Sequence, residues 1–516
     1  MTANRPFFVT TPIYYVNDTP HLGHAYPTVA ADALARFMRL DGYRVRFLTG
    51  TDEHGQKVER SAQALGLTPQ QFTDRVSATF REMDRLLDIS NDDYIRTTEQ
   101  RHIRGVQALW RELERRGEIY LGRFAGWYCV RDEAFYDESE LIDGPGGTRL
   151  APTGAEVEWV EEENYFFRLS AWQERLLAFY EAHPEAIAPR SRRNEVISFV
   201  RSGLKDLSIS RTSFSWGIPV PGNPAHVIYV WLDALVNYIT ALGYPEVERG
   251  DYATYWPADI HIVGKDILRF HTVYWHAFLM AAGLEPPRRV FAHGWWTVEG
   301  QKMSKSLGNG IPPEVLVARY GVDPARYFLL RELPFGSDGD FSHRAVVGRL
   351  NGDLANDFGN LAQRVLVMIN RNCDAVVPEA GGLTAAETAL LDAGRSLLAM
   401  VRGHVSEQAF HLALEAIWRV VGEANRYVDE QAPWVLSRSD PARMRTVLYT
   451  LAETLRHLAI LAQPIVPGTA GKLLDQLAVP ESARDFTALT AAPLAPGTPL
   501  RKPEGIFPRF VEEPVP

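Results

Sequence analysis

The stretch FFVTTPIYYVNDTPHLGHAYPTVAADALARFMRLDGYRVRFLTGTDEHG covers residues 7–55 and follows the order strand, turn, helix, strand. An apolar run at 7–9 predicts the first strand, helical periodicity predicts a helix over 25–40, and a second strand is predicted at 44–48. Such a unit closes into a parallel sheet with a right-handed crossover. We therefore expect an α/β catalytic domain with a doubly wound, Rossmann-like parallel sheet, whose ligands collect at the carboxyl ends of the strands.

Two histidines, His21 and His24, stand where the first turn gives way to the helix. A helix N-terminus offers unpaired N–H groups and the positive end of the helix dipole, so histidines there favour phosphate binding. Gly23 between them lets a flat group lie on the backbone. Asp52, at the end of the second strand, is expected to face the same crevice. Taken alone, such a histidine pair is more often a packing or surface feature.

A second motif, Lys302-Met303-Ser304-Lys305-Ser306, holds two of the seven lysines in a chain that has 47 arginines. Two compact charges on a Gly-flanked, Ser-rich loop suit a polyphosphate. Neither a GxGxxG nor a GxxxxGK[ST] motif occurs, which disfavours dinucleotide-binding and P-loop proteins.

The order and spacing of these two motifs resemble those of class I aminoacyl-tRNA synthetases. The segments TPIYYVN at 11–17, YVWLDA at 229–234 and VGKDI at 263–267 extend the resemblance to the methionyl-tRNA synthetase family, over nearly the whole chain. The resemblance implies ATP-dependent activation of L-methionine, with Mg²⁺, to methionyl-adenylate and pyrophosphate. Transfer of methionine to the 3′ end of methionine tRNA, initiator and elongator, would follow and release AMP.

The resemblance also implies roles for individual residues. The ATP-binding set is His21, Gly23, His24, Gly264, Asp266, Lys302, Ser304 and Lys305. The catalytic set is His21, His24, Lys302, Lys305 and Arg211. The methionine-binding set is Ile13, Tyr15, Asp52, Trp231, Ala234, Leu235, Tyr238, Ile267 and His271. In this scheme Asp52 pairs with the substrate ammonium group. The alternative is that the apolar members are core residues and that Asp52 caps a helix or forms a salt bridge.

Composition is that of a soluble globular protein, with 46% hydrophobic and 23% charged residues in 516. A net charge of −10 requires that any RNA contact come from local basic surface. The two cysteines, Cys129 and Cys373, do not suggest a disulfide framework, which fits a reducing compartment. No apolar segment is long enough for a membrane helix, so we expect a cytoplasmic protein without a membrane partner.

Changes of texture predict five regions. They are a first catalytic half at 1–116, a connective insertion at 117–225, a second catalytic half at 226–293, a stem-contact region with the lysine loop at 294–350, and a helical anticodon domain at 351–516. The sheet is expected to resume at 226–231. The tail at 500–516 is expected to fold back onto the body, and the protein to be a monomer.

Many family members carry a zinc knuckle of four cysteines in the insertion. Here residues 126–132 retain only Cys129, and residues 151–154 hold no cysteine. Because structural zinc needs four ligands, we expect no zinc. The insertion, about 110 residues long, is also too short for the large editing domain of the isoleucyl and valyl relatives.

The region after 350 is helical by pattern, and Thr384 with Glu387 forms a capping box. Asn356, Asn360 and Arg364 are spaced to share one helix face, and Trp434 follows Pro433 at a helix end. Amides, a guanidinium and an aromatic ring can read splayed bases. In the resemblance, Asn360, Arg364 and Trp434 match readers of the CAU anticodon. The alternative is a solvated helix face and a core tryptophan.

Features of the sequence disfavour three other functions. A cysteinyl or leucyl-type synthetase is disfavoured by the missing thiol-binding zinc site and by the chain length. A nonenzymatic RNA-binding paralogue is disfavoured because both catalytic motifs are intact. A small-molecule adenylate-forming ligase has no use for the long helical region after 350.

Overall fold

The structure is a computed structural model that describes residues 4–132, 134–298, 300–302 and 310–512. Within these residues the largest sheet has seven strands, all paired in parallel. The strands are Pro6–Thr10, Tyr14–Tyr15, Arg44–Asp52, Asp93–Arg96, Ile187–Ala188, Ile260–Gly264 and Val290–His293. The first strand lies at the centre, between Arg44–Asp52 and Ile260–Gly264. This is the predicted doubly wound α/β fold.

Both faces of the sheet are covered by helices. Phe8 and Val9 are fully buried and belong to two different hydrophobic clusters, because successive side chains of a strand point to opposite faces. Among the described residues before 340, the α-helices are Leu22–Leu40, Gln56–Ala64, Pro69–Leu86, Gln100–Arg115, Gln173–Ala182, Arg190–Arg201, Val230–Leu235, Asn237–Thr240, Gly250–Tyr255, Trp275–Ala282, Pro313–Tyr320 and Val322–Arg331.

The smaller sheets lie outside this core. An antiparallel sheet contains Ile119–Cys129, Ala134–Tyr136, Glu158–Phe167 and Leu207–Ser208, and a two-stranded one contains Ile142–Asp143 and Arg149–Leu150. A three-stranded sheet contains Ser210–Arg211, Pro219–Val220 and Asn223–Ile228, and another contains Trp296–Val298, Gln301–Lys302 and Gly339–Phe341.

The prediction that the main sheet resumes at 226–231 is wrong. The strand Asn223–Ile228 pairs antiparallel in its own small sheet, and the helix Val230–Leu235 begins directly after it. A short apolar run does not distinguish a strand from the start of a buried helix. The edge strand Ile187–Ala188, within the predicted insertion, instead pairs with Val290–His293 of the main sheet.

The region after residue 342 is helical. Its helices are His343–Arg349, Asn360–Asn372, Ala385–Ser406, Phe410–Gln431, Pro433–Ser439, Pro441–Ala462, Pro467–Gln476 and Ala488–Ala491. The capping box of Thr384 and Glu387 is confirmed. Among the described residues, no helix is both long and apolar enough to cross a membrane.

A buried arginine, Arg326, joins the C-terminal helical region to the first helix, which packs on the sheet. Arg326 and Asp32 are both fully buried, and Arg326 Nη2 lies 2.6 Å from Asp32 Oδ2. Arg326 also donates to the carbonyl oxygens of Leu87, Pro464 and Ile465. One guanidinium therefore satisfies groups from the first helix and from the C-terminal bundle, which fixes their relative placement.

The tail also contacts the body. Ile506 and Phe507 are buried, and the backbone of Phe510 exchanges two hydrogen bonds with the side chain of Asn351.

Candidate active site

The two predicted histidines meet at the start of the helix Leu22–Leu40, where His21 is the N-cap residue. Nδ1 of His21 accepts a hydrogen bond from the backbone N–H of Gly23 at 3.0 Å. Nδ1 of His24 accepts one from the backbone N–H of His21 at 3.1 Å. The ring centroids are 4.1 Å apart, so the pair forms a reciprocal cap with both rings side by side.

Both imidazoles are neutral, because burial disfavours the charged form. Burial lowers the pKa of His21, and it lowers the pKa of His24 well below its usual value. Since Nδ1 of each ring accepts a backbone N–H, the single ring proton is on Nε2. Each histidine can therefore donate to a phosphate oxygen without adding positive charge.

Glycine at position 23 is required by the ring of His21. A Cβ atom on Gly23 would lie 2.7 Å from Cε1 of His21, well inside the normal contact distance. A Cβ atom on Gly264 would lie 2.6 Å from Oδ1 of Asp266. Both glycines thus let a neighbouring polar side chain fold back over the backbone. That Gly23 also admits the adenine stays a prediction.

Asp266 follows the strand Ile260–Gly264 at the carboxyl edge of the sheet, and its side chain is held by a tryptophan. Trp295 Nε1 donates to Asp266 Oδ1 at 3.0 Å. The backbone N–H of Trp295 donates to Asp338, whose carboxylate also lies 2.5 Å from Lys265 Nζ. The sequence analysis did not assign Trp295 a role.

Asp52 is the last residue of the strand Arg44–Asp52 and is 7% exposed. In the strand ladder its direct partner is Tyr15, another predicted methionine-binding residue. Two site residues from separate segments therefore lie side by side at the carboxyl edge of the sheet.

A stacked pair of rings forms one wall of the predicted methionine pocket. Trp231, on the helix Val230–Leu235, lies flat on Phe270 with ring centroids 3.7 Å apart and an interplanar angle of 5°. Phe270 begins the π-helical turn Phe270–Tyr274 and was not predicted as a site residue. A widened helical turn next to an otherwise regular pattern is not visible in sequence spacing.

Next to the stacked rings lies a neutral hydrogen-bonded pair, whose His271 ring is edge-on to Trp231 with ring centroids 6.3 Å apart. Tyr238 OH lies 2.7 Å from Nε2 of His271, and Nδ1 of His271 lies 2.9 Å from the carbonyl oxygen of Ile267. Because that carbonyl can only accept, Nδ1 carries the proton and the tyrosine donates to Nε2. Burial lowers the pKa of His271 to about 4, so the ring is uncharged at neutral pH.

The remaining pocket residues belong to the same region. All are buried or half-buried: Ala234 and Leu235 lie on the helix of Trp231, and Ile13 and Ile267 pack against the same hydrophobic cluster as Trp231. An uncharged, aromatic and apolar pocket suits a flexible thioether side chain.

A fully buried carboxylate lies behind this pocket and was missed by the sequence analysis. Asp233 Oδ2 lies 2.6 Å from Nδ1 of His54, and its Oδ1 lies 2.7 Å from Nε2 of His102. Burial alone would raise the pKa of Asp233, but the two histidines outweigh it and hold the pKa below its usual range. The available signal was an acidic residue inside an apolar helical run, since a buried charge requires partners.

Arg211 is buried, which is inconsistent with a simple surface charge. Its guanidinium carbon lies 4.0 Å from the ring centroid of Phe135, 4.5 Å from that of Tyr128 and 5.3 Å from that of Tyr229. Glu162 is its ion-pair partner at 3.3 Å. The structure therefore packs Arg211 among rings of the insertion and of the segment that leads into the pocket helix.

The lysine loop lies largely outside the described residues. The backbone of Lys302 ends the strand Gln301–Lys302, but its side chain, Ser304 and Lys305 are not described. Their predicted roles toward ATP stay predictions.

The predicted anticodon residues are only partly placed on one face. Residues Leu350–Gly359 form π-helical turns, so the α-helical spacing that groups Asn356 with Asn360 does not hold there. Asn360 and Arg364 lie in the α-helix Asn360–Asn372, where a spacing of four preserves a common face.

Arg364 connects this face to the predicted stacking residue. Its guanidinium carbon lies 5.5 Å from the ring centroid of Trp434, and it is paired with Asp429 at 2.6 Å. Trp434 is the second residue of the short helix Pro433–Ser439 and is 46% exposed, so it is not a core residue.

The fold and the site are those of a class I aminoacyl-tRNA synthetase. The family model described as tRNA synthetases class I (M) matches residues 7–366, and the anticodon binding domain of methionyl tRNA ligase matches residues 377–515. The chain belongs to the methionyl-tRNA synthetase family.

Individual relatives agree with this assignment. The chain is 58% identical to methionine–tRNA ligase of Mesorhizobium japonicum and 57% identical to that of Brucella suis, with 99% of each chain covered in both comparisons. Methionyl-tRNA synthetase of Mycobacterium tuberculosis in complex with methionyl-adenylate matches with a TM-score of 0.96 and 54% identity, over 98% of this chain and 100% of that one. The free-state structure of the enzyme from the same organism matches with a TM-score of 0.90 and 50% identity, over 99% of both chains.

Proposed function

We propose that this chain activates L-methionine with ATP and transfers the methionyl group to methionine tRNA. The observation that carries this function is the placement of three elements at one sheet edge. They are the neutral histidine pair His21 and His24, the buried carboxylate of Asp52 beside Tyr15, and the neutral aromatic pocket around Trp231.

The first step needs positioning more than covalent help from the protein. An oxygen of the methionine carboxylate attacks the α-phosphorus of ATP, a new carbonyl–oxygen–phosphorus link forms, and the bond to the bridging oxygen breaks as pyrophosphate leaves. Asp52 holds the methionine ammonium group, while Nε2–H of His21 and His24 donates to phosphate oxygens. Neutral donors stabilise the charge that develops there.

The nucleotide is held at both ends in this scheme. Asp266, fixed by Trp295 and adjoined by Gly264, binds the ribose hydroxyl groups. Lys302, Ser304 and Lys305 neutralise the leaving pyrophosphate, with Arg211 assisting. Mg²⁺ bound to the ATP phosphates would offset part of their negative charge.

In the second step a hydroxyl group at the 3′ end of the tRNA attacks the methionyl carbonyl carbon and AMP leaves. The exposed Trp434 stacks on an anticodon base, and Arg364 lies beside its ring. Arg364, Asn360 on the same helix and Asn356 in the preceding π-helical turns read CAU base edges. Initiator and elongator methionine tRNAs share this anticodon and are both substrates.

We propose that the insertion folds without zinc. Cys129 is buried with Ala151 and Ala155, and burial raises the pKa of its thiol to about 11, whereas zinc binds a thiolate. The neighbouring Asp132 accepts hydrogen bonds from Tyr136 and Thr153, so its carboxylate is already used. Metal analysis of the purified protein should find no stoichiometric zinc, and a tightly held zinc ion would contradict this part.

We propose further that the protein acts as a monomer in the cytoplasm. Both of its cysteines are buried free thiols, as expected in a reducing compartment. A sedimentation measurement at micromolar concentration tests the oligomeric state, and a dimer would contradict it.

The function is tested by amino-acid-dependent exchange between ATP and pyrophosphate, followed by charging of tRNA. We expect exchange with methionine and not with cysteine or leucine, and charging of methionine tRNA. Exchange without charging would favour a small-molecule adenylate-forming ligase. Binding of tRNA without exchange would favour a nonenzymatic RNA-binding protein.

A further inference from the structure

The segment that carries Asp52 is anchored through both of the residues that follow it. Glu53 is fully buried, and its carboxylate receives two hydrogen bonds from Arg96, at 2.6 and 2.9 Å, and others from Thr51 and Thr98. These bonds fix the segment to its own sheet. They do not reach the helix that carries the methionine pocket.

His54 supplies the connection to that helix. Its Nδ1 lies 2.6 Å from Oδ2 of Asp233, which lies between Trp231 and Ala234 on the helices of the pocket. Trp216 packs edge-on against the His54 ring, with ring centroids 5.4 Å apart. Its Nε1 donates a hydrogen bond to the carbonyl oxygen of Glu53. The His54 imidazole therefore connects the segment that carries Asp52 to the helix that carries Trp231.

We propose that His54 is a positioning residue for methionine recognition. Through the carboxylate of Asp233 it sets the distance between the two halves of the amino-acid site, the carboxylate that binds the ammonium group and the pocket that binds the side chain. This rests on the proposed function, in which Asp52 binds the methionine ammonium group.

The chain contains a matched control for this role. His102 bonds the other oxygen of the same carboxylate at 2.7 Å and is also buried, but it lies on the helix Gln100–Arg115 and its Nδ1 lies 2.9 Å from Thr240. It contacts Asp233 at a distance similar to that of His54, but it lies outside the segment at 52–54 that carries Asp52. A merely structural role of the cluster would affect both histidines alike.

The experiment compares two ligands of the full-length protein. One is a non-hydrolysable methionyl-adenylate analogue, and the other is the same compound without the α-amino group. The ratio of their dissociation constants reports the ammonium contact alone, because all other contacts are shared. We expect His54→Ala to reduce this ratio roughly tenfold, within the range for coupled hydrogen-bonded networks.

The conservative variant provides the rescue. In His54→Asn the side-chain amide stands near the position of Nδ1, so it should donate to Asp233 and restore most of the ratio. His102→Ala should keep the wild-type ratio even if the protein melts at a lower temperature; if that variant does not fold, His102→Gln replaces it.

Three outcomes overturn the proposal. An unchanged ratio in His54→Ala, together with a collapsed ratio in Asp52→Asn, would reject the role of His54 and leave the proposed function intact. An equal loss in the His54 and His102 variants would make the cluster structural only. If Asp52→Asn keeps the wild-type ratio, the assignment of the ammonium group to Asp52 fails, and the role of His54 fails with it.

Discussion

Two tryptophans, Trp231 and Trp434, illustrate how differently the two ends of the molecule are built for recognition. Trp231 lies flat on Phe270 and edge-on to His271, which is hydrogen-bonded to Tyr238, so neighbouring side chains hold its ring in place. Trp434 is 46% exposed, with the guanidinium of Arg364 beside its ring. A small rigid-walled site suits a small ligand, and an exposed ring beside a charge suits an unstacked base.

Because the pocket histidine His271 is neutral in the folded protein, the stability of the protein should depend strongly on pH. The pKa of His271 is about 4 in the folded protein and about 6.5 in an unfolded chain. Because the folded pKa is lowered, the unfolded chain takes up the proton first. The stabilisation from this residue is therefore complete above about pH 6.5 and is lost as the pH falls to about 4, a change of ~3 kcal/mol.

Urea unfolding at pH 7.5 and pH 4.5 measures this dependence. His271→Gln should lose less stability than the wild type between the two values, because the titrating group is gone. Equal losses in the two proteins would show that His271 does not contribute to the acid sensitivity.

Removal of the pocket tryptophan, Trp231, should affect methionine binding alone. Trp231→Ala is expected to raise the KM for methionine about a hundredfold in pyrophosphate exchange, the scale of a well-packed aromatic contact. The KM for ATP should change little, because the nucleotide contacts that we propose lie at His21, His24 and Asp266. A parallel rise in both constants would mean that the substitution had disrupted the whole site.

Removal of the exposed tryptophan should affect tRNA alone. Trp434→Ala removes a stacking contact and should lower charging at limiting tRNA roughly tenfold, with methionine activation unchanged. The neighbouring Val435 is 56% exposed and gives a matched control, since Val435→Ala should leave both activities near wild type. If activation falls together with charging, Trp434 supports the fold rather than the anticodon.

A second pH dependence, opposite in sign to that of His271, tests the cost of a buried charge at Asp84. Burial, with a smaller contribution from Asp32, raises the pKa of Asp84 to about 8. Because this folded pKa is raised, the protein loses stability as the pH rises from about 4 through 8. Asp84→Asn should therefore unfold at a higher denaturant concentration than the wild type at pH 8, with a smaller difference at pH 5. An unchanged or lower midpoint at pH 8 would contradict this.

Much of the catalytic side was predictable from sequence. Apolar periodicity placed the first strand and helix, and the motif at His21–His24 and the acid at Asp52 marked the carboxyl edge because parallel strands end there together. The bounds moved by a few residues: the helix begins at Leu22, and the second strand extends to Asp52.

The missed features depend on contacts between distant segments. His54, His102 and Asp233 are separated by up to 179 positions, and nothing in their local patterns predicts a shared cluster. Phe270 and the turns at Leu350–Gly359 were missed because π-helical geometry breaks the 3.6-residue period on which helix faces are predicted.

The division of labour between the two ends is tested most directly by one measurement. It is the ratio of charging efficiencies, kcat/KM, for two methionine tRNA transcripts that differ only in whether the anticodon is CAU, compared between the wild type and Trp434→Ala. The wild type should strongly prefer the CAU transcript, and the variant should show a preference that is smaller by roughly tenfold. An identical preference in the two proteins would show that the anticodon is not read at Trp434.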